Sequence, residues 1–99
     1  MPAIVQINFD FHETRAELEA GSIAVADKFL QVDGLRWKVW LVDEVSATAG
    51  GMYLFETRAL AQAYADGPLV AHLESVRQNV SVSVFDTMDA AGKITRAPV

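Results

Sequence analysis

The chain contains no cysteine. Disulfides, thiolate nucleophiles and Cys-ligated zinc or iron–sulfur centres are therefore excluded. Basic residues are scarce: 8 Lys and Arg stand against 13 Asp and Glu, for a formal net charge of −5. There is no basic run and no interleaving of basic with aromatic residues, so nucleic acid is not an expected partner. The same acidic balance disfavours an anionic membrane surface. No apolar run reaches the roughly 20 residues needed to cross a bilayer. The opening "MPAIVQINFDFHE" lacks a basic n-region and an unbroken apolar h-region, so no signal peptide is expected. These absences fit a cytoplasmic protein of bacterial type. Only two histidines occur, His12 and His72, far apart and without a clear third ligand, so no metal site is expected. Gly50-Gly51 lacks the following Lys-Ser/Thr of a phosphate loop and is expected to form a bulge or close turn. Serine hydrolysis has no local Ser-His-Asp support.

What is present is apolar. Hydrophobic residues make up 52% of 99 residues and charged residues 21%. One domain is expected over residues 1–99, and so apolar a small body hints at a subunit interface. "AIVQINFDF" alternates: Ala3, Val5, Ile7, Phe9 and Phe11 share one face, which predicts a strand with one buried side. Thr14 followed by Glu17 is a capping box, and Leu18, Val25, Ala26, Phe29 and Leu30 keep helical spacing after it. Gly34 sits where a helix stop is expected. "LRWKVWLV" is a second strand, with Leu35, Trp37, Val39 and Leu41 on one face and Arg36, Lys38, Trp40 and Val42 on the other. "GMYLFE" pairs back on it as a hairpin. A helix starts at Thr57, Gly67-Pro68 interrupts it, and Pro68 opens a new helical segment. "VSVSVFD" is the fourth strand, with Val80, Val82 and Val84 on one face. The tail from Thr87 has no long apolar pattern and is expected to be a partner-binding arm or a frayed end.

The order βαββαβ is the ferredoxin-like plan of the α+β class: a four-stranded antiparallel sheet with helices on one face. The bare face, expected to carry Trp40, Phe85 and Ile4, invites a second copy. Two sheets face to face make a dimeric α+β barrel, so a homodimer is expected, one tryptophan facing helices and the other the partner.

The segments "GLRWKVWLVDEVSATAGGMYLFET", "ALAQAYADG" and "VFDTMDA" resemble, in that order and with similar spacing, the YdhR family of monooxygenases. Gln6 and Phe9 of the first strand fit as well. The resemblance implies a ferredoxin-like fold, a dimeric α+β barrel and kinship with antibiotic-biosynthesis monooxygenases, which oxidise aromatic, hydroquinone-like substrates without metal or flavin. No cofactor is expected on that basis. The chain departs from the family pattern in "DEVSATAGG" and around Gly67-Pro68, segments bordering the expected pocket.

Each candidate residue has two readings. Trp37 and Trp40 are core and interface packing, or one of them walls an aromatic-binding pocket. His72 lies two helical turns from Tyr64 and is either a surface histidine or the catalytic proton acceptor. Asn8, among Gln6 and Asp10, belongs to a wet polar row or to an anion-stabilising site. A haem-degrading site of Asn, Trp and His lacks its tryptophan here, which disfavours haem. Arg36 and Lys38 either pair with Asp10, Glu44 or Asp86, or stabilise an enolate or phenolate. Tyr53 is a cross-strand aromatic or a ligand contact. With these residues, the resemblance implies a cofactor-independent monooxygenase for a small aromatic or quinol-like molecule. In it His72 is the base, Asn8 or Arg36 holds the anion, and Trp37, Trp40, Tyr53 and Tyr64 contact substrate. The alternative is a non-catalytic homodimer that binds a small apolar ligand. A polar group converging on the pocket separates the two.

Overall fold

Alternation in the first strand becomes burial in the computed structural model, which describes all 99 residues. In β1 (Ala3–Asp10), Ala3, Val5 and Ile7 are wholly buried while Ile4, Gln6 and Asn8 are not. The chain continues through α1 (Arg15–Ala26), a 3-10 turn (Asp27–Gln31), β2 (Leu35–Asp43) and β3 (Thr48–Phe55). It then forms α2 (Arg58–Ala65), α3 (Pro68–Val76), β4 (Gln78–Asp86) and a terminal α4 (Asp89–Ile94). The strands order β2-β3-β1-β4, every pair antiparallel, as the ferredoxin-like plan requires. No helix is long and apolar enough to cross a membrane.

Helix boundaries follow their caps. The Thr14 hydroxyl accepts from the Glu17 N–H at 3.2 Å and the Glu17 carboxylate accepts from the Thr14 N–H at 3.0 Å, closing the expected box. The Thr57 hydroxyl accepts from the Leu60 N–H at 3.2 Å, and Pro68 occupies the first turn of α3. Gly34 takes φ +75°, and a Cβ there would collide with the Leu60 side chain.

The register corrects the second strand. Leu35 pairs with Phe55, yet Trp37 pairs with Leu54, so Arg36 is an extra residue in a bulge. A one-residue shift exchanges the two faces of a strand. Leu35 therefore joins the core under the helices, whereas Trp37, Val39 and Leu41 face away, and Lys38 and Trp40 lie on the helix side opposite Tyr53 and Gly51. Trp40 is thus not on the bare face; Trp37 is. Gly50-Gly51 forms no bulge either. Both are buried in β3, where a Cβ on Gly50 would collide with the Ile7 carbonyl oxygen of β1.

The helix layer is uneven. Ala61 of α2 and Val70 of α3 are sealed against Val5, Ile7, Tyr53 and Phe55, and each fully buried aliphatic or aromatic side chain is worth about 1.5–3 kcal/mol. Helix α1 buries no residue at all and stands off the sheet. The tightening to 3-10 geometry at Asp27 breaks the expected helical stripe: Phe29 reaches the core but Leu30 is 85% exposed. The tail is not frayed. It forms α4 and returns over the bare face of its own chain, where the Trp37 indole N–H donates to the Pro98 carbonyl at 2.8 Å.

One ion pair ties the entry of α1 to the exit of α3. Arg77 donates to both Glu13 oxygens at 2.7 and 2.6 Å, with about a quarter of each side chain exposed. The Arg77 hydrogen bonds, first among its causes, lower the Glu13 carboxyl from 4.5 to about 2. The unfolded chain binds the extra proton between those values, so the pair's contribution is complete above pH 4.5 and lost as pH falls toward 2. Glu13→Gln is expected to cost about 1–2 kcal/mol at pH 7 and to flatten the fall in stability below pH 4.5, measured by urea unfolding. Parallel stability–pH curves for the two proteins would contradict this.

Candidate functional site

The stand-off of α1 leaves a cavity of about 830 Å³ between that helix, the covered face of β2 and β3, and α3. Its walls are mostly apolar: Leu18 and Ala26 of α1, Phe29 of the 3-10 turn, Trp40, Tyr53, and Val70 of α3. Phe29 and Trp40 meet edge to face at 5.4 Å, and Tyr53 and Tyr64 lie 5.1 Å apart. Gly51, opposite Trp40, supplies no side chain. A Cβ there would sit 3.1 Å from the Lys38 Cε and 3.3 Å from the Tyr53 ring, so the glycine makes room for both.

Lys38 is the polar group of this wall. Its Nζ lies 3.3 Å from the centroid of Trp40, 3.6 Å from that of Phe29 and 4.7 Å from that of Tyr53. It takes part in none of the four ion pairs and in no side-chain hydrogen bond. Burial without a counter-ion lowers its amine from 10.5 to about 7. The ring faces act in the opposite sense, each favouring the ammonium by about 0.5–2 kcal/mol. Desolvation holds the amine below the ordinary lysine range, and the rings offset part of that shift. Burial, and then the neighbouring Tyr64 phenol, push Tyr53 well above the ordinary phenol range; burial likewise raises Tyr64. Both phenols stay protonated, able to donate to a ligand oxygen.

Around the mouth, Arg15, Lys28 and Arg77 stand with two carboxylates, Glu13 and Glu19, so with Lys38 the cavity is cationic in an acidic chain. Arg77 also lies 5.0 Å from the Phe9 ring. The cavity can therefore hold a flat apolar molecule, accept its proton at Lys38 and keep the resulting anion beside the ammonium. No group of three or more His, Cys, Asp or Glu side chains is placed to hold a metal.

Among the residues singled out in the sequence, Trp40, Tyr53 and Tyr64 meet in this cavity, and His72 reaches it from an exposed position on α3. Asn8 and Trp37 are on the opposite face of the sheet, Asn8 accepting from Gln6 at 3.2 Å, and Arg36 is exposed at the bulge. None of the three borders the cavity. Phe29 was read only as helix packing, and Lys38 only beside Arg36. The available signal is that Lys38 shares strand parity with Trp40, so whatever places the indole under the helices places the amine there too.

Protonation of Lys38 should be visible to Trp40. In a Trp37→Phe background, the remaining indole fluorescence is expected to change with a midpoint near pH 7, and Lys38→Met should abolish the transition. A flat signal between about pH 5 and 9 would place the amine's titration elsewhere.

Solved structures share this architecture. A protein of unknown function from Nitrosomonas europaea is 14% identical, with 88% of this chain and 89% of that one covered at a TM-score of 0.68. SnoaB, a cofactor-independent oxygenase from Streptomyces nogalater, is 13% identical, with 88% and 93% covered and a TM-score of 0.64. The heme-degrader MhuD from Mycobacterium tuberculosis, with two hemes bound in its active site, is 22% identical, with 86% and 95% covered and a TM-score of 0.61. At these identities the likeness speaks for the fold alone. No curated protein sequence matches the chain. One family does, over residues 4–98: the chain belongs to the family described as "Putative mono-oxygenase ydhR".

Proposed function

We propose that the chain is a cofactor-independent monooxygenase of a small aromatic, quinol-like compound, with Lys38 as its base. The observation that carries this reading is the Lys38 amine, unpaired and walled by Phe29, Trp40 and Tyr53 in the cavity. Family membership supports the reaction class, and the fold shared with SnoaB, itself a cofactor-independent oxygenase, is consistent with it. A polar group converging on the cavity favours catalysis over passive binding of an apolar ligand.

In this mechanism the neutral Lys38 amine takes the proton of a bound phenol. The ammonium then holds the phenolate against the aromatic wall, where low dielectric strengthens the pairing. The electron-rich ring carbon transfers electrons to dioxygen and forms a C–O bond. The peroxide takes a proton, the ring carbon loses its hydrogen as a proton, and the O–O bond breaks. One oxygen atom remains as a quinone carbonyl and the other leaves as water. Tyr53 and Tyr64, held protonated, donate to substrate oxygens. His72, at the exposed rim, and Arg36 and Asn8, outside the cavity, have no part in this scheme.

The neutral amine is the active form, so kcat/KM for oxygen uptake with a responsive quinol should rise with pH through about 7. Lys38→Met is expected to lower it by about 10²-fold or more, the usual scale for a lost general base, while His72→Ala leaves it within a few-fold. Wild-type rate in Lys38→Met would remove the proposed base. Quinol binding without oxygen consumption would favour the non-catalytic ligand-binding reading.

The bare sheet face supports a homodimer. Val39 and Phe85 are 48% and 55% exposed there, alongside Ile4 and Met52. Stacking two such faces should bury about 1,200 Å² or more in total, the scale of a stable interface. Sedimentation is expected to give a dimer for the wild type at micromolar concentration and a monomer for Val39→Glu/Phe85→Glu. The cavity lies on the other face, so the Lys38 transition should persist in the monomer. A monomeric wild type would contradict the barrel.

A further inference from the structure

An amine without a carboxylate partner can do more than move protons. We infer that Lys38 is a carbonyl-capturing residue: the cavity takes up aromatic aldehydes or ketones and binds them covalently as an imine on Nζ. The inference goes beyond the oxygenase reading and does not require it, because capture consumes no oxygen.

Three observations converge. First, the Nζ atom is free of competing partners. None of the charged side chains around the cavity, Glu13, Arg15, Glu19, Lys28, His72 and Arg77, forms an ion pair or hydrogen bond with it. Second, its surroundings are apolar and flat. Phe29 and Trp40 flank it at 3.6 and 3.3 Å, and the adjoining space of about 830 Å³ is large enough for a fused bicyclic carbonyl compound. Third, the Tyr53 ring stands 4.7 Å from Nζ and Tyr64 packs on Tyr53 at 5.1 Å, and both phenols remain protonated.

These parts match the needs of imine formation. Desolvation in an apolar pocket is a known route to an activated lysine nucleophile. The amine lone pair adds to the carbonyl carbon, forming the C–N bond as the C=O π bond breaks, and one N–H proton passes from nitrogen to the oxygen, giving a neutral carbinolamine. That hydroxyl then leaves as water with a proton delivered by a phenol, nitrogen forms the C=N bond, and the last N–H proton returns to the phenolate. Aldehyde and amine become imine and water with no change in charge or oxidation state. The flanking rings stack on the aryl group of the ligand.

The other amines of the chain are built-in controls: Lys28 at the cavity mouth, Lys93 on α4 and the N-terminus. The experiment incubates the wild-type protein with 2-naphthaldehyde and sodium cyanoborohydride, whose hydride reduces the imine to a stable secondary amine. Intact mass gives stoichiometry, and peptide mapping gives the site. At pH 7 the Lys38 peptide is expected to be labelled at least about tenfold faster than the Lys28 and Lys93 peptides, because an ordinary lysine amine, near 10.4, is almost wholly protonated there. Glyoxylate, a small polar aldehyde that the aromatic wall does not hold, should show a clearly smaller preference, because only the protonation advantage of Lys38 remains. Tyr53→Phe should slow labelling at Lys38 while leaving Lys28 and Lys93 unchanged. Labelling of Lys38 no faster than that of Lys28 and Lys93, or equal selectivity with glyoxylate, would overturn the inference. Oxygenase activity is read in a separate assay, so a failure here leaves that reading intact, and the converse also holds.

Discussion

The extra residue at Arg36 decides which side of the sheet receives Lys38. Without that bulge the parity of β2 would place Trp37 and Val39 beneath the helices, and the lysine would project toward the bare face. With it, an amine and an indole lie under a helix layer already short of contact, since α1 buries nothing against the strands. The cavity, the missing counter-ion and the depressed amine all follow from those two facts. Gly51 completes the arrangement, because any larger residue there would press on the Lys38 stem and the Tyr53 ring.

A half-buried lysine without a carboxylate carries a desolvation cost that packing alone would not repay. Methionine or leucine would fill the same space more stably. The fold tolerates this residue by surrounding it with aromatic faces, which stabilise the ammonium without neutralising it. The amine therefore stays responsive to whatever enters the cavity. Glu13, the carboxylate best placed to quench positive charge at the mouth, is already engaged in two short bonds to Arg77. The division of labour between the two faces is equally plain. One holds the cavity and Lys38, and the other exposes Val39 and Phe85 while Trp37 anchors the tail through Pro98.

Much of the fold was legible in the sequence because its signals are local. The alternation of Ala3, Val5 and Ile7, the Thr14–Glu17 box, Pro68 and the valines of β4 each report on their own neighbours. What was hidden depended on distant partners. The bulge is defined by Phe55 and Leu54 across the sheet, and nothing within "LRWKVW" requires it. Assigning faces by alternation from Leu35 therefore put Trp40 on the wrong side and grouped Lys38 with Arg36. The change from α to 3-10 geometry at Asp27 likewise swung Leu30 outward and Phe29 inward. Of the site, the aromatic residues Trp40, Tyr53 and Tyr64 were legible because large rings seek burial. The amine at its centre was not, since a strand lysine ordinarily points to water.

Everything assigned to the cavity depends on Lys38 titrating within reach of neutral pH in the folded chain. Carbon-detected NMR of protein labelled at the lysine Cε positions measures this directly, because the chain has only three lysines, at positions 28, 38 and 93. The account predicts one Cε signal with a midpoint near 7, absent from Lys38→Met and shifted upward when an anionic aromatic ligand is added. All three signals titrating together near about 10.4 would contradict it.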